Sequence, residues 1–537
     1  MTLSQRVYHV DYAVIGSGVA GIRAAIELSQ AGSVLVLAKS CLQESATAYA
    51  QGGVAVALND EDEISLHEQD TLSAGDGLCN PECVALLVEE GPKYITQLME
   101  WGTEFDRAGT KLAFTREAAH SRSRVLHAHG DSTAREIIRA LLARAHTIPH
   151  LHLRPNAFTT RLIVEKGRVV GAQFLDESDN TLHELRAGAV LLATGGLGQL
   201  FRETTNPEVA TGDGMAIAYE AGAVLSDMEF VQFHPTALAV KGAPRFLLSE
   251  ALRGEGGILR NVNLERFMKR YHEAQELAPR DVLARAIATE MQRTDSQHVY
   301  LDMTAKSREF LEKRFPRICA TCSSYGVDIA SDLAPVSPAA HFMMGGVKTD
   351  LWGRASIPGL YAAGENAANG VHGANRLAGN SLLEGLVFGA RAGIAMMKDA
   401  PGSHKGQAHL PGSPAPTSWN NLEKRQEKPK PKAEVLASLQ LLREVMWKCV
   451  GILRSGKDLK FALESLAAMP MPDAEKMGRS DYELRNLHAL GSLVTRCAIA
   501  REESRGSHYR SDFPYRDDEA YRKHSLVSRD RDVTFAI

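Results

Sequence analysis

The chain has 537 residues, 44% of them hydrophobic, so it can bury a large core and divide into about two to four domains. Its 61 Lys and Arg residues nearly balance 65 Asp and Glu residues, and the formal net charge is −4. No basic stretch indicates nucleic-acid or membrane-surface binding, and no apolar run approaches the ~20 residues of a membrane span. The seven cysteines are few and odd in number, which favours a reducing compartment over a disulfide framework. We therefore expect a cytoplasmic protein with small-molecule partners, no nucleic acid and no membrane.

The first predicted elements are a strand, a helix and a second strand arranged around a glycine motif. Residues 11–15 form an apolar run, a helical pattern continues to Leu28, and a second apolar run covers residues 34–38. The motif GSGVAG at residues 16–21 lies between the first strand and the helix. Its first glycine permits a tight turn, its second lets the backbone approach a pyrophosphate, and its third allows close packing of helix and sheet. The pattern predicts a dinucleotide site at the start of this helix.

The end of the second strand departs from the usual NAD-binding pattern. An acidic residue that binds a ribose is expected there, but the strand ends in Lys39 and Ser40. Two later glycine turns suit an extended cofactor: ATGG at residues 193–196 follows an apolar run, and TGDG at residues 211–214 supplies the carboxylate of Asp213. Together these features favour FAD over a nicotinamide cofactor.

The remaining elements predict an α/β fold with an insertion. A further apolar run at residues 359–362 resembles the earlier parallel strands, whereas the long stretch before it does not repeat their pattern. We expect a Rossmann-like FAD-binding domain in two segments, an inserted α+β capping domain and a C-terminal helical domain. The predicted boundaries are 1–233 and 344–405 for the FAD-binding domain, 234–343 for the capping domain, 406–433 for a linker rich in Pro, Gly and Lys, and 434–537 for the helical domain.

Several motifs in chain order resemble those of the succinate dehydrogenase, fumarate reductase and L-aspartate oxidase flavoproteins. They are AQGG (50–53), TNP (205–207), FHPT (233–236), RGEG (253–256), PRD (279–281), HFMMGG (341–346), AGE (363–365) and NSLLE (380–384), with ESRG (503–506) and DFP (512–514) in the tail. The resemblance therefore extends over nearly the whole chain, and it implies the fold described above.

Two stretches distinguish branches of this family. The respiratory enzymes carry a histidine that attaches covalently to the flavin, and Ala46 stands at that position here, so the resemblance implies non-covalent FAD. Residues 112–121 (LAFTREAAHS) look like the corresponding stretch of L-aspartate oxidases, and Glu117 matches the carboxylate expected near a substrate amino group. Ser249 replaces a threonine of the oxidase pattern and keeps the hydroxyl.

The resemblance also assigns residues to the cofactor. The positions that match FAD-binding residues of the family are Ser17, Gly18, Val19, Ala20, Lys39, Ala46, Thr47, Ala48, Tyr49, Ala50, Gln51, Gly52, Gly53, Asn156, Ala157, Asp213, Glu365, Ser381 and Leu382.

The residues expected at the substrate are two arginines and a set of hydrogen-bonding side chains. A planar guanidinium meets a carboxylate through two parallel hydrogen bonds, which suits Arg376 and Arg280 for binding a dicarboxylate. By resemblance, Arg280 is also the proton donor and acceptor of the family, and Glu117 is a catalytic and specificity element. His234, Ser249 and His341 are the remaining substrate-binding residues that the resemblance implies.

The implied reaction is the oxidation of L-aspartate to iminoaspartate, with oxygen or fumarate as electron acceptor, as the first step of de novo NAD biosynthesis with a link to quinolinate synthase. Two alternatives stay open: a soluble fumarate reductase or succinate dehydrogenase flavoprotein, and a non-catalytic FAD-binding scaffold. His120, His127 and His129 lie close together in the sequence, but no Cys or carboxylate completes a set of ligands, so we expect no metal there.

Overall fold

The computed structural model describes residues 6–49, 51–117, 119–178, 180–400, 402, 431–472 and 477–537. Of the predicted linker at 406–433, only residues 431–433 belong to this part of the chain, and Ala50 lies outside it as well. Among the described residues, no helix combines the length and the apolar character needed to cross a membrane.

The first segment begins with the expected strand, helix and strand. Its elements are β1 (Val7–Ile15), α1 (Val19–Leu28), β2 (Val34–Leu37), α2 (Ala46–Tyr49), β3 (Val54–Ala55), α3 (Ile64–Ala74), α4 (Pro81–Glu100), β4 (Arg107–Ala108), β5 (Lys111–Leu112), β6 (Phe114–Thr115), β7 (Val125–Leu126), α5 (Thr133–His146), β8 (Leu151–Arg154), β9 (Ala157–Glu165), β10 (Arg168–Asp176), β11 (Thr181–Leu192), α6 (Asp213–Glu220) and β12 (Leu225–Ser226). Short 3-10 helices lie at Gly198–Leu200, Met268–Arg270, Gln275–Leu277 and Gly364–Asn366.

A seven-stranded sheet forms the centre of this segment. Its order is β8-β2-β1-β11-β10-β9, and a later strand, Leu360–Ala362, pairs in parallel with β11. Strands β8, β2, β1 and β11 are parallel, whereas β9 and β10 are antiparallel additions. The whole of β2 and the carboxyl-terminal halves of β1 and β11 are apolar and buried, as the apolar runs there predict. Ligands of such sheets bind beyond the carboxyl ends of the strands, so this edge is where a site is expected.

The inserted segment forms its own sheet and its own apolar core. Its elements are β13 (Val231–Leu238), α7 (Glu250–Gly254), β14 (Ile258–Arg260), α8 (Arg280–Arg293), β15 (Val299–Asp302), α9 (Arg308–Arg314), α10 (Pro316–Ser324) and β16 (Ala334–Met343). The four strands are antiparallel in the order β13-β16-β15-β14. Helices cover this sheet around buried side chains such as Leu252, Ile287 and Leu311. We call residues 231–343 the cap.

The rest of the chain returns to the first segment. Its elements are β17 (Gly346–Lys348), β18 (Leu360–Ala362), β19 (Ala367–Ala368), α11 (Asn380–Asp399), α12 (Ala433–Cys449), α13 (Gly456–Ala467), α14 (Arg479–Ala500), α15 (Asp518–Tyr521), β20 (His524–Ser528) and β21 (Arg531–Ala536). A five-stranded sheet has the order β19-β17-β12-β20-β21. The segment expected to be helical therefore also ends in two strands, and β20 pairs with β12 of the first segment.

A buried arginine fixes the C-terminal segment to the cap boundary. Arg501 Nε donates to Glu229 Oε1 over 2.6 Å, and its Nη1 donates to Glu503 Oε1 over 2.9 Å. The same guanidinium donates to the carbonyl oxygens of Tyr521 and Lys523. The side chains of Arg501, Glu229 and Glu503 are fully buried. Arg501 compensates the charge of Glu229, while Glu503 is shared between Arg501 and the buried Arg505.

We expect Arg501→Ala to destabilise the protein by about 3–5 kcal/mol, because Glu229 then stays buried without its cation, whereas Glu503 keeps its pair with Arg505. Urea unfolding followed by tryptophan fluorescence measures this loss. Arg496→Ala is the matched control, since Arg496 pairs with Asp532, whose side chain is 85% exposed, and an exposed pair contributes about 0–1 kcal/mol. Equal losses in the two variants would contradict the anchoring role of Arg501.

Candidate active site

One large cavity lies at the carboxyl edge of the parallel strands, between the first segment, the cap and the start of α11. It encloses about 1760 Å³, including its opening to solvent. The predicted cofactor residues that line it are Ser17, Gly18, Val19, Ala20, Lys39, Ala46, Thr47, Tyr49, Gln51, Gly52, Gly53, Ala157, Asp213, Glu365, Ser381 and Leu382. All six predicted substrate residues, Glu117, His234, Ser249, Arg280, His341 and Arg376, line the same cavity.

Two predicted cofactor residues do not line the cavity. Ala48 lies within α2 between lining neighbours, and its N–H donates to the carbonyl oxygen of Ser45. Asn156 adopts a positive φ of 56° in the turn before β9, and its N–H donates to the carbonyl oxygen of Ser40. The turn at Asn156 therefore shapes the wall next to Ala157 rather than facing the cavity itself.

The glycine motif builds the first anion-binding feature of the cavity. Gly16 has a φ of +114°, and a Cβ there would lie 2.1 Å from the carbonyl oxygen of Ala193, so only glycine fits. Gly18 caps α1 in an extended conformation without a side-chain capping bond. The first N–H groups of a helix have no intrahelical acceptor, and those at Val19 and Ala20 lie at the cavity wall. This arrangement suits a pyrophosphate.

The start of a second helix without a side-chain cap, that of α11, also lines the cavity. α11 begins after Gly379, whose φ is +83°, and no side chain caps it. Ser381 and Leu382 of its first turn line the cavity. Around Gly52 and Gly195 nothing lies within 4 Å of where a Cβ would stand, so the backbone presents open space to a ligand. Two helix starts and exposed glycine backbone are the donor set that a flavin dinucleotide needs, and the residues fit the expected FAD.

Two arginines from different segments converge on one amide. Gln232 Oε1 accepts a hydrogen bond from Arg280 Nη1 over 3.0 Å and another from Arg376 Nη2 over 3.1 Å. Arg280 Nε also donates to Glu250 Oε2 over 2.6 Å. Arg376 donates to Ser381 Oγ, and within the described residues its Nε has no acceptor. The pair therefore carries more positive charge than its direct partners neutralise, which favours an anionic ligand.

Burial and the neighbouring charge affect Arg376 directly. Burial, with a further contribution from Arg280, lowers the pKa of Arg376 to about 9. The guanidinium carbon lies 4.4 Å from the centre of the Phe342 ring, a cation–π contact that supports it in this position. A carboxylate placed beside Arg376 would restore the stability of its charged form.

Two neutral histidines complete the donor set. The rings of His234 and His341 are 5.2 Å apart, and burial together with the arginines holds both pKa values well below the ordinary value. The Thr236 N–H donates to His234 Nδ1 over 3.2 Å, so the neutral ring carries its hydrogen on Nε2. That Nε2 is buried and has no partner in the described part of the chain. His234 thus offers an unused hydrogen-bond donor beside the arginines.

Glu117 is a buried carboxyl group without a matching cation. Its Oε1 has no hydrogen-bond partner among the residues that the structure describes, and His127 Nε2 lies 3.8 Å from it. Burial, followed by repulsion from Glu250, raises the pKa of Glu117 to about 7. An acid in this state is suited to meeting an ammonium group or to accepting a proton near neutral pH.

The histidines near Glu117 hold its loop rather than sharing a ligand. His120 Nε2 donates to the carbonyl oxygen of Ala378, just before α11, and Arg124 Nη1 donates to His120 Nδ1 over 3.3 Å. His129 points to solvent with 59% of its side chain exposed. Across the described residues, no three metal-ligand side chains come together. His120 therefore ties the Glu117 loop to the start of α11.

Sequence reasoning did not single out Gln232 and Glu250, although both contact the arginines. Gln232 precedes His234 by two residues in β13, and residues at this spacing share one face of a strand, which is the signal that identifies it. Glu250 follows Ser249 at the first position of α7. No local signal identifies its partner, because Arg280 is 30 residues away.

Comparisons with known proteins agree with this geometry. A family model described as FAD binding domain matches residues 11–382, and one described as fumarate reductase flavoprotein C-term matches residues 440–536. An L-aspartate oxidase of Streptomyces coelicolor is 42% identical, covering 98% of this chain and 93% of that protein. An L-aspartate oxidase of Acinetobacter baylyi is 39% identical and covers 94% of both chains.

Solved structures give the same fold. A quinol fumarate reductase structure from E. coli superimposes with a TM-score of 0.88 at 31% identity, covering 99% of this chain and 96% of that one. Mycobacterium smegmatis Sdh1 superimposes with a TM-score of 0.81 at 31% identity, covering 99% of this chain and 94% of that one.

The raised pKa of Glu117 predicts a pH-dependent stability. The pKa of Glu117 is about 7 in the native protein, whereas the ordinary pKa of a glutamate, which applies in the unfolded chain, is 4.5. Between these two values the native state keeps a proton that the unfolded chain releases, so native stability falls as pH rises through this window. We expect Glu117→Gln, without substrate, to gain about 1–3 kcal/mol relative to the parent protein between pH 5 and pH 7.5.

Urea unfolding at the two pH values measures this gain. Glu312→Gln is the control, because that side chain is 60% exposed and should show no gain with pH. Parallel pH curves for Glu117→Gln and the parent protein would exclude the shifted titration.

Proposed function

Because the chain belongs to the L-aspartate oxidase family of FAD-binding flavoproteins, we propose that it oxidises L-aspartate to iminoaspartate at this cavity. One observation carries the assignment: the buried carboxyl group of Glu117, whose Oε1 has no hydrogen-bond partner among the described residues, shares a cavity with two arginines that lack full compensation. Such a pocket suits a ligand that has both a cation and two anionic groups. L-Aspartate has these groups on a four-carbon skeleton.

The two carboxylates of the substrate are held by the cationic side of the cavity. Arg376 and Arg280 each offer a planar fork to a carboxylate, and Gln232 keeps both guanidiniums in place through its single amide oxygen. His234 donates from Nε2, and Ser249 adds a hydroxyl at the cavity wall. Fixing both ends of the skeleton limits the motion of the carbon that reacts.

The amino group is held by Glu117. Amine oxidation requires that the ammonium loses a proton, and Glu117 Oε1 accepts it, because a pKa of about 7 allows both protonation states at neutral pH. Bound FAD supplies the hydride acceptor for the Cα–H bond of the substrate. Arg280 stays paired with Glu250 and orients the substrate through the fixed fork of N–H donors of its guanidinium.

The cofactor is held without a covalent bond. Ala46 lines the cavity at the position where the respiratory flavoproteins carry their attaching histidine, and a methyl group cannot form that bond. Ser17, Val19 and Ala20 would hold the pyrophosphate at the start of α1, and Ser381 and Leu382 at the start of α11 would hold the flavin half.

Oxygen or fumarate is the final electron acceptor, and the reaction is the first step of de novo NAD biosynthesis. The product is a reactive imine, which suits direct use by a following enzyme. In this pathway the consumer is quinolinate synthase, and we include that functional link in the proposal.

Anaerobic mixing of the purified holoenzyme with L-aspartate or with succinate tests the assignment. The absorbance of the bound flavin should bleach faster with L-aspartate. Faster bleaching with succinate would favour a soluble fumarate reductase or succinate dehydrogenase flavoprotein, to which the structural similarity at 31% identity also points. No bleaching by either dicarboxylate, despite a full complement of FAD, would indicate a non-catalytic scaffold.

Two variants separate the roles of the cationic and acidic sides. Glu117→Gln should slow flavin reduction by L-aspartate about a hundredfold and change fumarate reduction by less than about threefold, because only the amino group needs the carboxylate. Arg376→Ala should slow both reactions at least about a hundredfold while FAD stays bound, because both substrates need the clamp. Stopped-flow absorbance and the flavin content measure these effects. Equal losses of both reactions in Glu117→Gln would indicate a structural role for Glu117.

A further inference from the structure

The position where a Rossmann-like fold usually binds a ribose is occupied here by a lysine. Lys39 follows β2, lines the cavity and reaches three acceptors through Nζ. It donates to Asp213 Oδ2 over 2.6 Å, to the hydroxyl of Thr211, and to Glu483 Oε1 over 3.1 Å. Asp213 also lines the cavity, whereas Glu483 belongs to α14 of the C-terminal segment. The carboxylate of Glu483, 444 residues from Lys39 in the sequence, thus contacts a lysine that lines the cavity.

Three residues on one face of α14 contact Lys39, Asp213 or one another. Arg479, Glu483 and Asn486 are spaced by four and three residues, so their side chains lie on the same side of the helix. Arg479 Nε donates to Glu483 Oε1 over 2.9 Å, and its Nη1 donates to the carbonyl oxygen of Lys39 over 2.5 Å. Asn486 Nδ2 donates to Asp213 Oδ1 over 2.8 Å.

Lys39 and Asp213 are therefore both held in place by side chains of α14. Lys39 is bound through its Nζ by Glu483 and through its carbonyl by Arg479, while Asp213 has one oxygen on Lys39 and the other on Asn486. The desolvation of Glu483 is outweighed by Lys39 and Arg479, which lower its pKa to about 2, so the carboxylate stays charged. Glu177 adds a further acidic partner to Arg479 over 2.9 Å.

The ring of Tyr482, also on α14, lies against Phe158, another lining residue, with ring centres 5.9 Å apart. In folds of this type the carboxyl end of the second strand meets the adenosine half of the dinucleotide. α14 therefore forms the outer support of the wall at which that half binds.

We infer that α14 is part of the FAD-binding structure, with Glu483 and Asn486 as positioning residues that hold Lys39 and Asp213 toward the adenosine half of the cofactor. This inference rests on FAD binding at the cavity proposed above. It assigns the C-terminal segment a role in retaining the cofactor, in addition to its packing. Docking of α14 and binding of FAD are then linked, and each stabilises the other.

Titration of FAD into flavin-stripped, full-length protein tests the linkage. Glu483→Gln should weaken FAD binding about tenfold, because Lys39 loses a charged partner, and Asn486→Ala should weaken it several-fold without removing a charge. Quenching of flavin fluorescence gives the Kd. Glu464→Gln is the matched control, since Glu464 is an exposed acid on α13 and should leave the Kd unchanged.

The unfolding temperature with and without FAD separates positioning from simple stability. If α14 positions the cofactor site, the increase in unfolding temperature that a fixed FAD concentration produces should be smaller in Glu483→Gln and Asn486→Ala than in the parent protein. Lower unfolding temperatures with an unchanged Kd in both variants would overturn the inference and leave the proposed function standing. Failure of the parent protein itself to take up FAD would overturn both.

A double-mutant cycle checks that Glu483 acts through Lys39. In Lys39→Met the further change Glu483→Gln should have little effect on the Kd, because the lysine that it positions is absent. Fully additive losses would show that Glu483 does not act through Lys39.

Discussion

The active site depends on two buried guanidiniums that share one amide oxygen. Gln232 Oε1 accepts from both Arg280 and Arg376, and Glu250 neutralises only the first of them directly. Burying cations without full compensation is costly, and the cost is recovered when an anionic ligand enters. Among the described residues, Arg376 Nε and His234 Nε2 are both buried and have no hydrogen-bond partner. In the proposed function, the dicarboxylate substrate is the acceptor for these donors.

The fold holds Arg280 and Arg376 close together although they come from separate segments of the chain. Asn375, next to Arg376, donates to Asp281 Oδ1 over 3.0 Å, and Asp281 follows Arg280 at the start of α8. The carbonyl oxygen of Ala374 in the same loop accepts from the N–H of Ser507 over 3.0 Å. The loop that carries Arg376 is thus held by the cap on one side and by the C-terminal segment on the other. The cap carries Arg280 and Gln232, so a shift of the cap would change the positions of both relative to Arg376.

The parts that could be predicted from the sequence are those encoded locally. At Gly16 the backbone lies so close to the carbonyl oxygen of Ala193 that only glycine fits. The sequence indicates this turn by a glycine between an apolar run and a helical pattern. The substrate residues, among them Arg376 and Glu117, were predicted through resemblance, because no single position implies its distant partner. The structure places these residues around one cavity, and their roles stay predictions.

What the sequence could not predict depends on contacts between distant residues. The ion pair of Lys39 with Glu483 brings together residues whose local patterns are unremarkable, a lysine after a strand and an acid in a helix. The strands β20 and β21 were missed for a similar reason, since the helical periodicity before residue 505 extended the expectation of helix to the end of the chain. Their pairing with β12 is a tertiary constraint that short alternating runs do not specify.

The pKa values of acidic residues at the two ends of the cavity are shifted in opposite directions. At the proposed substrate end burial raises the pKa of Glu117 to about 7, whereas at the Lys39 end Lys39 and Arg479 outweigh burial and lower the pKa of Glu483 to about 2. An end with balanced charges stays ordered without further partners, which suits a cofactor that remains bound. An end whose charges are left unbalanced gains most when a charged molecule arrives and loses that gain when the molecule leaves, which suits a substrate that must exchange at each turnover.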